Sequence, residues 1–334
     1  MYTEFYRLKG EPFLLTPDHR FYFDSSVHSQ AMAHLTYGLN QGEGFIVITG
    51  DIGAGKTTLV KHLCASIDNK KILAAHIVTT QLEGSDLLRI IGAAFGLKAI
   101  PTEKSSTILY LQSFFESAHE HQCRVLLIVD EAQNLSISAL EELRMLSNFQ
   151  VGSVALFQSF LVGQPQFRSV LANPQLEQLR QRVIASYHLG PMNRTECGDY
   201  LLHRLQKVGW RSDPSFDASA LDAIFVHTGG IPRRINTLCN RLLLLGFLDD
   251  LHNFSAPDVN KVWADLQAEN PMQALTQPEN GALALKPSST PAVDTEIHGR
   301  IAGLERRLAT QEAFTRRVAT ALQGYFHFED SEAH

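Results

Sequence analysis

The sequence has no apolar run long enough to cross a bilayer. The longest, Val125–Val129 and Leu242–Leu245, fall far short of the roughly 18 residues required. The opening MYTEFYRLKGEPF lacks the basic segment and apolar stretch of a secretory signal, so the expectation is a cytosolic protein. Cysteine is scarce. Cys64, Cys123, Cys197 and Cys239 stand far apart with no C-x-x-C pair, which excludes a disulfide framework or zinc cluster and reads as four reduced thiols. Positive charge is also short: 29 Lys and Arg against 35 Asp and Glu leave −6, so no global field draws the chain to nucleic acid, although a local basic patch stays open. Fourteen histidines are present, but close pairs such as His119 and His121 lack the carboxylate or cysteine neighbours of a metal site.

What is present is core-forming material: 334 residues, 44% hydrophobic and 19% charged, enough for more than one core and incompatible with wholesale disorder. From Phe45 to about Leu189, short apolar runs alternate with helical patterns, the order of a parallel sheet covered on both faces. Five strands are expected at Phe45–Thr49, Ile72–Val78, Val125–Val129, Leu156–Val162 and Val183–His188, continuous rather than alternating in hydrophobicity. After Gly190–Pro191 the strand signals stop and four helices are expected, at Thr195–Val208, Asp217–His227, Pro232–Asp249 and Ala256–Ala268.

The resulting organisation is an aromatic arm and first helix (1–41), a three-layer sheet domain (42–190), a small helical domain (191–269), a Pro- and Gly-broken flexible linker (270–294) and a C-terminal amphipathic helix (295–326). The arm holds seven of the chain's 29 aromatics within 23 residues: Tyr2, Phe5, Tyr6, Phe13, Phe21, Tyr22 and Phe23. Two readings stay open. The rings seal the arm onto the sheet domain, or Pro17 to Arg20 form one wall of a purine pocket.

Gly50-Asp51-Ile52-Gly53-Ala54-Gly55-Lys56-Thr57 matches G-x-x-x-x-G-K-[ST], follows an apolar strand and opens a helix expected at Thr58–Ser66. Glycines let consecutive amides turn inward and, with the helix N-terminus, form a nest for phosphate oxygens. Lys56 adds a point charge at the β and γ phosphates, and Thr57 a hydroxyl for Mg²⁺. Val125–Val129 runs into Asp130 and Glu131, whose side chains point differently along the strand. Asp130 would hold the metal through water while Glu131 orients the water attacking the γ phosphate.

Three further positions carry two readings each. Gln164, at the end of the fourth strand, can reach the attacking water or cap the next helix. Arg180 and Arg182, before the fifth strand, can act as an arginine finger in a neighbouring subunit or form surface salt bridges. Arg233, in Gly229-Gly230-Ile231-Pro232-Arg233-Arg234, can fold back onto the γ phosphate or remain an exposed helix residue.

These motifs resemble the AAA+ ATPases of the ExeA group, bacterial secretion-pathway ATPases related to the TniB-type transposition ATPases. The resemblance spans about residues 1 to 268 and rests on MYTEFYRLKGEPFLLTPDHRFYF, GEGFIVITGDIGAGKTT, LLIVDEAQNL, ELRMLSNFQ, SFLVGQPQFR, LRQRV and TGGIPRRINTLCNRLLL. Within the group, the run from EELRMLSNFQ to RQRVIASYHLGPM is most similar to the ATPase associated with exosortase and exopolysaccharide loci. It implies a P-loop fold with a helical lid, and ATP and Mg²⁺ as ligands held by residues 50–58, with Lys56 and Thr57 at the phosphates and metal. It further implies Asp130 and Glu131 as the Walker B pair, Gln164 as first sensor, Arg233 as second sensor, and assembly into rings or filaments with an arginine finger. Some relatives add a membrane span and a peptidoglycan-binding module where residues 270–334 offer a linker and a helix, so the expected envelope link is peripheral, at the inner membrane through a protein partner. Two other functions compete: a regulatory ATPase polymerising on duplex DNA through Arg233, Arg234 and Arg241, and a nucleotide-gated scaffold using Ile297–Leu322 to hold a partner helix.

Overall fold

The computed structural model describes residues 2–16, 18–68, 70–78 and 83–269. They fall within one compact unit. The linker expected at 270–294, the helix expected at 295–326 and Pro17 lie outside the described residues.

The arm opens with helix α1 (Tyr2–Phe5), and α2 (Ser26–Gln41) leads into the sheet domain. That domain runs β1 (Phe45–Gly50), α3 (Lys56–Ser66), β2 (Ile72–Val78), α4 (Gly84–Ala94), α5 (Lys104–Glu120), β3 (Arg124–Asp130) and α6 (Ile137–Leu146). A small hairpin of β4 (Gln150–Val151) and β5 (Val154–Ala155) follows, then β6 (Phe157–Gly163), α7 (Phe167–Leu171), α8 (Glu177–Arg180) and β7 (Val183–Leu189). The helical domain contains α9 (Arg194–Lys207), β8 (Ser215–Phe216), α10 (Ala218–Thr228), α11 (Pro232–Leu248), β9 (Asn253–Phe254) and α12 (Ala256–Glu269).

All five expected strands pair in parallel in the order β2-β3-β6-β1-β7. Successive residues of a strand face opposite sides, and the core divides accordingly. Phe45 and Val47 of β1 join Leu127 and Leu161 under α4, α5 and α6, whereas Ile46 and Ile48 join Leu126 and Phe160 under α2 and α3. Burial on both faces explains why the strands read as continuous apolar runs.

Helix ends carry local signals. Ser25 caps α2, Ser136 caps α6, and Asp217 caps α10 by accepting from the Ala220 N–H. Asn193 and Glu196 form a reciprocal capping box at the start of α9.

Four expectations change. The helix after the phosphate loop starts at Lys56 rather than Thr58. Strands do not stop at residue 190: β8 and β9 pair in parallel inside the helical domain. The β4–β5 hairpin precedes β6 and was not anticipated. Finally, the arm does not seal the sheet domain. Tyr2, Tyr6, Leu8 and Phe13 are buried in the core of the helical domain, with Leu201, Leu238, Leu242 and Phe254. Tyr6 donates its hydroxyl to Leu251 O at 2.7 Å, and Tyr2 to Asn240 Oδ1 at 2.8 Å. Burying a ring such as Phe13 in this core contributes about 1.5–3 kcal/mol. Of the arm's seven rings, Tyr22 packs against the sheet-domain core.

Candidate functional site

The C-terminal edge of the sheet gathers the loop after β1, the tip of β3 and the tip of β6, because β1 and β3 flank β6. In an open parallel sheet this edge is where ligands bind. Gly53 (φ +83°) and Gly55 (φ +100°) adopt the left-handed backbone that side chains resist. Each also lacks room: a Cβ on Gly55 would stand 2.7 Å from His28 Nε2, and one on Gly53 would collide with Arg233 Cβ.

Lys56 opens α3 and is buried, with Nζ donating to Gly50 O at 2.7 Å and Asp51 O at 2.9 Å. Burial pulls its pKa down, against the upward pull of Glu131, Asp130 and Asp51. Its ammonium thus lies folded against the loop that would receive phosphate. Thr57 Oγ1 donates to Asp130 Oδ2 at 2.7 Å, and Asp130 Oδ1 accepts from the Glu131 N–H at 3.0 Å. Asp130 is almost wholly buried, and His76 Nε2 lies 3.9 Å from its Oδ2.

Glu131 takes a left-handed backbone (φ 56°) directly after the end of the strand. Its Oε2 accepts from Gln133 Nε2 at 2.6 Å and from Gln164 Nε2 at 3.1 Å. Gln133 Oε1 in turn accepts the backbone N–H of Gln164 at 2.9 Å. One amide side chain therefore ties the tip of β3 to the tip of β6.

A cleft joins this edge to the helical domain, lined by the loop, Thr58, Glu131, Tyr22, Phe23, Arg204 and Arg233, among others. The Arg233 N–H, one of the first-turn donors of α11 that has no partner in its own helix, donates to Gly53 O at 3.1 Å. Its side chain is exposed beside the loop. Of the arm segment Pro17 to Arg20, Asp18 lines the cleft, as do Leu14, Leu15, Thr16 and Phe21. Arg204 holds this wall: its guanidinium lies 4.5 Å from the centroid of the Phe21 ring and donates to the Pro12 carbonyl and, at 3.0 Å, to Tyr200 Oη.

Gly50 to Thr58, Asp130, Glu131, Gln164 and Arg233 are thus brought together. Arg180 and Arg182 are not. Arg180 Nη1 donates to Leu171 O and Asn173 O, and Arg182 Nη1 to Ser147 O, fastening loops of their own sheet domain. Sequence reasoning missed His28, His76, Gln133 and Arg204. Gln133 alone had a local signal, standing two positions after Glu131 in the same turn; the others depend on tertiary packing.

Mg²⁺ suits this donor set. A hydroxyl and a carboxylate meet at 2.7 Å beside the phosphate loop, and Mg²⁺ takes one or two protein oxygens while keeping waters and phosphate oxygens. Among the described residues no group of three or more His, Cys, Asp or Glu side chains could cage a metal, and this mode of binding needs none.

Sheet order, phosphate loop and acidic strand tip together define a P-loop fold of the AAA+ class. Residues 39–171 match the family described as AAA domain. The chain is 36% identical over 267 residues to general secretion pathway protein A of Aeromonas hydrophila, covering 78% of this chain and 47% of that protein. It therefore spans about half the length of that relative. Among solved structures, Cdc6p of Pyrobaculum aerophilum superposes with a TM-score of 0.62 at 16% identity, over 76% of this chain and 71% of that one. Drosophila ORC bound to DNA superposes at 0.55 and 14% identity, over 79% of this chain and 68% of that one. At this level of identity the likeness shows the fold.

Proposed function

We propose that the protein is an Mg²⁺-dependent ATPase that couples nucleotide state to the helical domain and, through it, to an envelope secretion or exopolysaccharide-export assembly. The observation that carries the ATPase reading is the convergence of Lys56, Thr57, Asp130 and Glu131 at one edge of the sheet, with Thr57 bonded to Asp130 at 2.7 Å. Loop amides and Lys56 Nζ bind phosphate oxygens, and Lys56 exchanges the Gly50 and Asp51 carbonyls for them. Thr57 and Asp130 would hold Mg²⁺, which would supply positive charge to the triphosphate. The Glu131 carboxylate, oriented by Gln133 and Gln164, receives the proton of the attacking water. Arg233 of the helical domain would reach the γ phosphate, and its N–H bond to Gly53 O would make the domain angle responsive to what the loop holds.

The cellular role rests on the resemblance to the ExeA group and the 36% identity to general secretion pathway protein A. The exosortase-associated branch is proposed on the motifs between residues 141 and 192. Ring or filament assembly would bring the exposed Arg182, or Arg180, to a neighbour's site as a finger. No described helix is long and apolar enough to cross a membrane, and attachment at the inner membrane would be through a partner. A charge of −6 weighs against a DNA-polymerising role.

Phosphate release by the unsubstituted protein and by Glu131→Gln tests the reading. Retained ATP binding with release lowered about 100-fold or more supports it. Equal rates remove Glu131 from catalysis, and negligible release by both leaves the nucleotide-gated scaffold.

A further inference from the structure

A buried titratable group at the edge of the cleft, outside the residues already assigned, is His28. It is buried in the first turn of α2, with the ring beneath the phosphate loop. Nε2 lies 3.1 Å from Ala54 O and Nδ1 lies 2.7 Å from Ser25 Oγ. A carbonyl oxygen only accepts, so Nε2 carries the proton, and in the neutral ring Nδ1 accepts from the Ser25 hydroxyl. Burial pushes the ring's pKa below its ordinary value, in keeping with a neutral ring.

We propose that His28 is a positioning residue for the phosphate loop, setting the direction of the Gly55 N–H and hence the affinity for triphosphate. The proposal deepens the nucleotide-site reading and rests on it. A trans peptide holds its C=O and N–H on opposite sides. Fixing the Ala54 carbonyl on the His28 side therefore aims the Gly55 N–H away from His28. Ala54 is buried, so its carbonyl requires a donor, and His28 supplies it from outside the loop. The ring occupies the space a Gly55 side chain would need, so loop and ring fit one another in one arrangement.

The anchor of the ring extends to the helical domain. Ser25 caps α2, and the next N–H, that of Ser26, donates to Glu196 Oε1 at 2.6 Å. Glu196 Oε2 accepts from the Asn193 N–H in the capping box of α9. His28 is thus held from α2, whose first turn is bonded to the first helix of the helical domain.

Two amide replacements separate the ring's two bonds. In His28→Gln the side-chain amide reaches the place of Nε2 and can still donate to Ala54 O; in His28→Asn it reaches only the place of Nδ1. Calorimetry with MgATP gives Kd, phosphate release gives KM and kcat, and thermal melting reports folding. His28→Asn is expected to raise Kd and KM by roughly five- to tenfold with kcat within about twofold, while His28→Gln stays within about twofold in all three. Should His28→Asn melt early, Ser25→Ala removes the bond that orients Nδ1 and frees the ring to turn Nε2 away from Ala54 O, so a raised Kd with unchanged kcat is again expected. Equal weakening by Asn and Gln, a fall in kcat alone, or an unchanged Kd in Ser25→Ala and His28→Asn overturns the proposal. Absence of binding heat with the unsubstituted protein instead sinks the nucleotide reading beneath it.

Discussion

Gln133 Nε2 donates to Glu131 Oε2 at 2.6 Å, within one turn at the end of β3. Because Gln133 Oε1 also accepts the N–H of Gln164, the carboxylate is oriented from two strands at once. Positioning of this kind acts on rate more than on binding, since in the proposed function the loop and Lys56 would carry the phosphate contacts.

Gln133→Ala is accordingly expected to lower kcat by about 10- to 100-fold while KM changes by less than about threefold. Steady-state phosphate release checks this. A rise in KM with kcat retained would place Gln133 among the binding contacts instead.

Removal of the divalent ion is expected to abolish turnover, because Thr57 and Asp130 bring no positive charge and Lys56 alone cannot neutralise a triphosphate. Chelation should stop phosphate release, added Mg²⁺ should restore it, and Thr57→Ala should raise the Mg²⁺ concentration needed for half-maximal rate. Turnover that persists in chelator would remove the metal from the account.

Stability should fall as the solution becomes acid, in two stages. Burial, first among the causes in each case, holds His28, His76, His188 and His203 below their ordinary value of 6.5. The unfolded chain therefore takes up protons that the folded state refuses, and stability declines once the pH drops through about 6.5 toward each folded value. Asp217 is held low by the Ser219 hydroxyl and the Ala220 N–H, a contribution lost only as the pH falls through its folded pKa, below 3.8. Thermal melts of the nucleotide-free protein should show a lower midpoint at pH about 5.5 than at about 7.5. A midpoint that rises on acidification would contradict these assignments.

The parts of the site legible in the sequence are those written in consecutive residues. The loop from Gly50 to Thr57 and the pair Asp130–Glu131 each sit in a local strand-and-turn context that fixes their geometry. Gln164 was placed at the end of β6 but with two roles open, because its partner, Glu131, lies 33 positions away in the chain. His28 carries no motif; its role follows from the ring reaching a loop 26 positions on. Arg180 and Arg182 were singled out by position alone, and that position says nothing about the carbonyls of residues 147, 171 and 173 that engage them.

For the fold, apolar runs covered on both faces gave all five strands of the main sheet. The two-residue strands β8 and β9 are too short for any periodicity to register. The aromatic density of the arm announced a buried segment but not its partner. That choice is made by the apolar residues of α9 to α12 and by Arg204, whose guanidinium engages both the Phe21 ring and the Pro12 carbonyl.

The central claim is that nucleotide and Mg²⁺ are held jointly by the loop after β1 and the tip of β3. Calorimetric titration of MgATP into the unsubstituted protein and into Lys56→Ala tests it most directly. The account predicts a saturable heat with the former and an affinity lower by about 100-fold or more with the latter. Equal affinities, or no heat with the unsubstituted protein, would contradict it.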